Sequence, residues 1–231
     1  MKRWALIVAA LYFVIIVVLT VPAILLGFVP QLGLKDAAGV YALWPYWLWL
    51  GVMTVSQCVL LALPVRLAER RPVSRGPVWR TVLAGGLMAG GLAAGALFSL
   101  YELVYGEHAG DPDHFKRGCW SALVPGLLTW VLWAVVFARI SRNVPPADLI
   151  SRQCRRLFQG SVLELLIAVP THIVARCRDY CCAGFLTFVG LTMGVSVMLF
   201  AFGPAVFVLF VERWKRLHPT PPHPSSTGTR L

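Results

Sequence analysis

The chain has 231 residues, of which 58% are hydrophobic and only 13% charged, and its mean hydropathy is +0.72, whereas soluble domains carry about 25% charged residues. That balance excludes a water-soluble globular fold, and the lack of barrel-type alternation excludes a transmembrane β-barrel. The net charge of +11 is divided among short loops with no soluble module to carry it, so nucleic acid is excluded as a partner and the lipid bilayer is the expected one.

The apolar residues gather into runs of about 20, the length that matches a hydrocarbon core of about 30 Å. The first run, Trp4 to Phe28, follows the basic start Met1, Lys2, Arg3. It is too long for a signal peptide and shows no A-x-A-like site before Pro30, so it predicts an uncleaved anchor. Further spans are expected over 41–64, 81–104 and 119–140. The stretch 158–175 is short and holds Glu164, Pro170 and His172, whereas 183–211 is long and holds Gly203 and Pro204. A short fifth span and a long sixth, tilted or kinked at Gly203 and Pro204, follow, unless 158–175 re-enters the membrane without crossing it.

The basic residues decide between these topologies. With the N-terminus inside, sixteen of the 21 Lys and Arg residues fall on its side, and five (Lys35, Lys116, Arg117, Arg176 and Arg178) fall opposite. The positive-inside bias therefore favours six crossings, with both termini in the cytoplasm of a bacterial-type inner membrane. Trp4, Trp79 and Trp214 at one set of boundaries and Trp44, Trp47 and Trp120 at the other agree with interfacial placement. The expected fold is an all-α polytopic bundle of six transmembrane helices over 1–217. The Pro-, Ser- and Thr-rich residues 218–231 form a disordered cytoplasmic tail. No internal repeat is visible, which weighs against an inverted-repeat transporter.

The third span carries Gly86, Gly90, Gly91 and Gly95 as two GxxxG pairs, which let another helix approach the backbone. The expected neighbour is a helix of the same bundle; the alternative is another membrane protein or a second copy of the chain. In the fifth span Ser161, Glu164, Ala168, Thr171 and His172 share one helical face. A carboxylate in hydrocarbon costs a few kcal/mol unless neutralised, paired or turned to a polar cavity, so Glu164 calls for a partner. Arg155 or Arg156 is the simplest candidate. A proton relay or a ligand site shared with His172 is the functional one.

Between the last two spans stand Cys177, Cys181 and Cys182, flanked by Arg176 and Arg178. Thiolate and imidazole suit zinc or copper, so His172, Cys177, Cys181 and Cys182 form a candidate metal or redox site on the outward face. The CxxxCC spacing matches no established signature. In an oxidising compartment a disulfide from Cys119 to one of these thiols is the competing expectation, while Cys58 reads as an apolar filler and Cys154 as a free cytoplasmic thiol. The loop before the fourth span gathers Glu102, Glu107, His108, Asp111, Asp113 and His114 within thirteen residues, a weak cation-collecting set on the same face.

The chain has no P-loop, GxSxG, HExxH or CxxCH motif, so the sequence leans away from an enzyme. Three functions follow in order: handling of a metal or thiol redox partner at the Cys/His cluster, a non-catalytic subunit that binds through its glycine face, and a small-solute or ion permease built on Glu164.

Overall fold

The computed structural model describes residues 2–27, 33–68, 75–106, 112–143, 145–178 and 183–217. Among them are seven α-helices: α1 (Lys2–Gly27), α2 (Leu34–Ala38), α3 (Trp44–Ala68), α4 (Arg75–Tyr105), α5 (Pro112–Asn143), α6 (Pro146–Arg176) and α7 (Phe185–Leu217). A 3-10 turn, Gly39–Ala42, links α2 to α3. Six of the helices are long and apolar enough to cross a membrane, the exception being α2. The chain is therefore a helical, multi-pass membrane protein, and the expected tail over 218–231 lies outside the described residues.

Lipid-facing surface explains why so many large apolar side chains point outward: Leu6, Leu26, Val55, Leu128, Leu166 and Leu209 are all exposed. In water such a surface would aggregate; in hydrocarbon it is the ordinary exterior. Trp4 and Trp79 at one end and Trp44, Trp47 and Trp120 at the other are exposed too, as aromatic belts require.

Packing places α4 at the centre, against α3, α5, α6 and α7, with α1 at the periphery against α3 and α7. The apolar core joins Tyr12 and Ile16 of α1, Leu50 and Met53 of α3, Met88 and Leu92 of α4, Leu157 of α6, and Val197 and Phe200 of α7. Both ends of the bundle are defined by contacts. The Trp4 and Phe210 rings lie 5.5 Å apart at one end, and the close of α1 meets the close of α6 and the start of α7 at the other. Arg80, Arg139, Arg152, Arg155, Arg156, Arg213 and Arg216 belong to the first of these, the arginine-rich end.

The fifth crossing is longer than its apolar run. Pro145 and Pro146 open α6, with Asp148 in the first turn where the helix dipole favours an acid. The helix then stays intact through Arg152–Arg156 and past Pro170 for 31 residues. Hydropathy hides this opening because its exposed face is arginine while its inner face is Leu149, Ile150, Gln153 and Cys154, all buried. Cys154 is a free thiol, and it is a core residue packed with Ile150 and Leu157. Cys58 is exposed on the outside of α3 and fills no gap in the core.

Candidate functional site: an intramembrane carboxyl in a glycine notch

Three helices, α4, α6 and α7, enclose a seam of polar side chains in the middle of the bundle. From α6 it receives Gln153, Ser161, Glu164 and Thr171; from α4, Thr81, Ser99 and Glu102; from α7, Thr187. All are buried. Spacings of 8, 3 and 7 residues on α6 and of 18 and 3 on α4 keep them on the inward stripes.

Most of these groups satisfy themselves locally. Ser161 donates to the Leu157 carbonyl at 3.0 Å, Thr171 to Ile167 at 2.8 Å, Ser99 to Gly95 at 3.0 Å and Thr81 to Pro77 at 2.9 Å. Back-bonding of this kind leaves a hydroxyl little further demand for partners. Glu164 differs. Its side chain is 3% exposed, and neither carboxyl oxygen has a hydrogen-bond partner among the described residues. The expected pairing with Arg155 or Arg156 is not made: both arginines are exposed, and the carboxyl lies two turns further along α6, turned into the bundle.

The space for that carboxyl comes from glycine. A methyl group at Gly95 would lie 3.1 Å from Oε1 of Glu164, one at Gly190 would lie 3.3 Å from it, and one at Gly194 would overlap Oε2. Gly95 of α4 and Gly190 and Gly194 of α7 therefore form a notch that the carboxyl fills. Ser99 reaches the same place, since a methyl group at Gly190 would also overlap its Oγ. On the other side of Glu164 a cavity of about 230 Å³ opens between α4, α5 and α6. Ala89, Ala93 and Gly160 line it with small side chains, and Thr129 and Arg156 supply its other polar groups.

The end opposite the arginines is held by a second cluster, in which Glu102 is the main surprise. Sequence pattern places it with the acidic loop, yet it is 1% exposed and accepts hydrogen bonds from the backbone N–H groups of Gly184 and Thr187, each at 2.6 Å. It caps α7 from a neighbouring helix, satisfying donors that a helix start leaves open. Gly184 takes φ 92°, a left-handed conformation natural to glycine, and a methyl group there would lie 2.7 Å from Cδ of Arg176. The signal was available: Glu102 continues the buried 92, 95, 99 phase of α4 and stands within one turn of its end. Glu102→Ala should lower stability by about 3 kcal/mol, the scale of two charge-assisted hydrogen bonds, and Glu102→Gln by about half that, because one acceptor survives. Reversible unfolding in mixed micelles reads both.

His172 belongs to this cluster. Its Nε2 lies 3.0 Å from the Gly27 carbonyl oxygen and its Nδ1 2.8 Å from Oγ1 of Thr187. A carbonyl only accepts, so Nε2 carries the proton and donates, while the single hydroxyl hydrogen of Thr187 lies between His172 Nδ1 and the Gly184 carbonyl oxygen 3.0 Å away. The ring thus ties α1, α6 and α7 together, and it could ligate a metal only by releasing Thr187. Cys177 ends α6 as an exposed thiol, and Cys119 and Cys177 are both free, so no disulfide joins them. Cys181 and Cys182 lie outside the described residues, as do Glu107, His108, Asp111 and the side chain of His114, while Asp113 is exposed in the first turn of α5. Among the described residues no group of three His, Cys, Asp or Glu side chains is placed to hold a metal.

The four glycines of the third span are used inside the chain. Gly86 and Gly90 face α5, where methyl groups would lie 3.0 Å from the Trp130 carbonyl oxygen and 2.6 Å from that of Gly126. Gly91 and Gly95 face Met193 and Gly190 of α7. Sequence reasoning missed two further buried polar side chains without a hydrogen-bond partner among the described residues, Gln57 and Gln153. Each also lies against a glycine, Gln57 at Gly203 and Gln153 at Gly85. For Gln57 the visible signal was a glutamine within an apolar run, whereas Gln153 stands among arginines; the glycines opposite them depend on tertiary pairing.

Comparison with protein-family profiles, with curated proteins and with solved structures finds no match, so the functional reading rests on this geometry.

Proposed function

We propose that the chain is a permease that carries protons, with Glu164 as the group that binds and releases them midway through the bundle. One observation carries the reading: a carboxyl 3% exposed, lacking a hydrogen-bond partner among the described residues, in a notch that three glycines leave for it. Such a group adds nothing to stability and costs a few kcal/mol to bury in the membrane. Orphaned buried polar groups in folded proteins call for a working role, and intramembrane carboxyls mark ion and proton paths.

Polar groups flank the carboxyl on both sides. Toward one end, Ser99 reaches the same notch and Glu102 stands one turn beyond it on α4. Toward the other, the cavity of about 230 Å³ runs to Arg156 near the arginine-rich end. A hydronium ion from one side gives its proton to the Glu164 carboxylate, one of its O–H bonds breaking as the carboxyl O–H forms, and the carboxyl O–H later breaks to give the proton to a water molecule on the other side. One positive charge moves, and the carboxylate is restored. Orientation follows from the uneven distribution of basic residues, which supports a cytoplasmic arginine-rich end, and both termini, in a bacterial-type inner membrane.

Purified protein reconstituted into potassium-loaded vesicles with valinomycin and a pH-sensitive dye provides the test. Wild-type vesicles should acidify faster than protein-free ones, and Glu164→Gln should return the rate to the protein-free level. No wild-type flux, or equal flux in the variant, overturns the proposal.

A further inference from the structure

The arginine-rich end has a groove that the polar seam does not use. It runs between the first turns of α6 and the last turns of α7, with a volume of about 500 Å³. Cys154 and Ala201, both buried, form its floor. Phe158, Phe202 and Leu209 form apolar walls that remain exposed, and Ala205 keeps the channel between them open. Phe158 and Phe202 meet edge to face, with ring centroids 5.4 Å apart at 82°, so the wall is a fixed aromatic corner.

The polar lining lies at one end only. Ser151 and Arg155 stand at the mouth with Asp148 beside them, and Arg152, Arg213 and Arg216 are also exposed at this end of the bundle. The apolar run of α7 continues to Val211 and is followed by Glu212 and Arg213, while the α6 side of the groove passes from Phe158 to Arg155, Ser151 and Asp148, so the groove runs from hydrocarbon depth toward the headgroup level.

An apolar trough that ends in a guanidinium and a hydroxyl, under a surface with several further arginines, has the chemistry of a phospholipid with a net negative headgroup. We infer that this groove binds one anionic phospholipid. An acyl chain lies along Phe158, Ala205 and Leu209, and the phosphate meets Arg155 and Ser151. Basic pockets between transmembrane helices recognise such headgroups through charge, whereas a zwitterionic lipid offers the same tail without the net attraction. Asp148 at the lip opposes an anion, so the headgroup is seated on the side of Arg155 and Ser151. The inference is independent of the role given to Glu164.

Delipidated protein in a neutral detergent, given equal amounts of phosphatidylglycerol and phosphatidylcholine and examined by native mass spectrometry, tests it. The wild-type protein should retain one phosphatidylglycerol in clear preference to phosphatidylcholine. Arg155→Gln should cut that preference about fivefold, the worth of one arginine at an anionic surface. Arg139→Gln, which removes an arginine from the same end but away from the groove, should leave it unchanged. Ala205→Trp, which fills the trough, should remove bound lipid of both kinds; if that variant does not fold, the arginine pair decides alone. Inorganic phosphate at millimolar concentration should not displace the lipid. Equal retention of the two lipids by wild-type protein, equal losses in Arg155→Gln and Arg139→Gln, or full displacement by inorganic phosphate would each overturn the inference.

Discussion

Gly90→Leu is expected to abolish the folded bundle, seen as loss of the monodisperse species on size exclusion in detergent. A methyl group at Gly90 would stand 2.6 Å from the Gly126 carbonyl oxygen and 3.0 Å from Cβ of Trp130. The first obstacle is backbone, which cannot turn aside as a side-chain tip can. Gly86 continues the contact one turn earlier against Trp130 and Ala134, and the indole of Trp130 donates to the Leu83 carbonyl at 3.1 Å across the same interface. Separating α4 from α5 by the width of a leucine therefore forfeits close packing along several turns, for more than about 3 kcal/mol. Because α4 also touches α3, α6 and α7, the loss spreads. Gly51→Leu is the control: nothing lies within 4 Å of a methyl group there, and that variant should fold normally. If Gly90→Leu folds well and loses only an association between chains, the glycine face works between proteins and not within one.

The spans were legible in the sequence because a bilayer imposes a single length on apolar runs, and no soluble alternative competes for them. The inward face of α6 was legible for the same kind of reason. Ser161, Glu164, Ala168 and Thr171 recur at helical spacing, and all four are buried. What escaped was anything that depends on which helix lies opposite. Glu102 reads as a loop acid because hydropathy falls away near it, yet the open N–H groups of α7 draw it inward. The burial of Gln153 and Cys154 escaped because arginines surround them in sequence, while the helix sends those neighbours to the other face. His172 reads as a ligand in search of a metal; the structure gives both its nitrogens ordinary partners.

The polar residues and the small ones, read as separate features of the sequence, turn out to be one device. Membrane helices gain little from apolar contact with each other, since lipid is equally apolar, and association relies on close packing and polar contacts. Glycine supplies the first by bringing backbones together. Here it also leaves room for a long polar side chain from a third helix, as Gly95, Gly190 and Gly194 do for Glu164, Gly85 for Gln153 and Gly203 for Gln57.

The sharpest consequence concerns Gly194. A methyl group at that position would overlap Oε2 of Glu164 and lie 2.9 Å from both Cδ of Glu164 and Cδ2 of Leu165. All three obstacles belong to side chains, so Gly194→Ala should fold but force the carboxyl out of its notch. The expected destabilisation is about 2 kcal/mol, the scale of a methyl group added to a filled site. In a Glu164→Ala background the obstacle is gone, and the same change should cost less than about 0.5 kcal/mol. The difference is the coupling between the glycine and the carboxyl, and reversible unfolding of the four proteins in mixed micelles measures it. Proton flux should follow the carboxyl's position rather than the fold's stability: Gly194→Ala should slow it about tenfold or more, an effect of about 1.4 kcal/mol on the barrier. Additive stabilities would mean that Gly194 does not hold Glu164, and unchanged flux in a coupled pair would mean that the notch shapes the bundle without serving the proton.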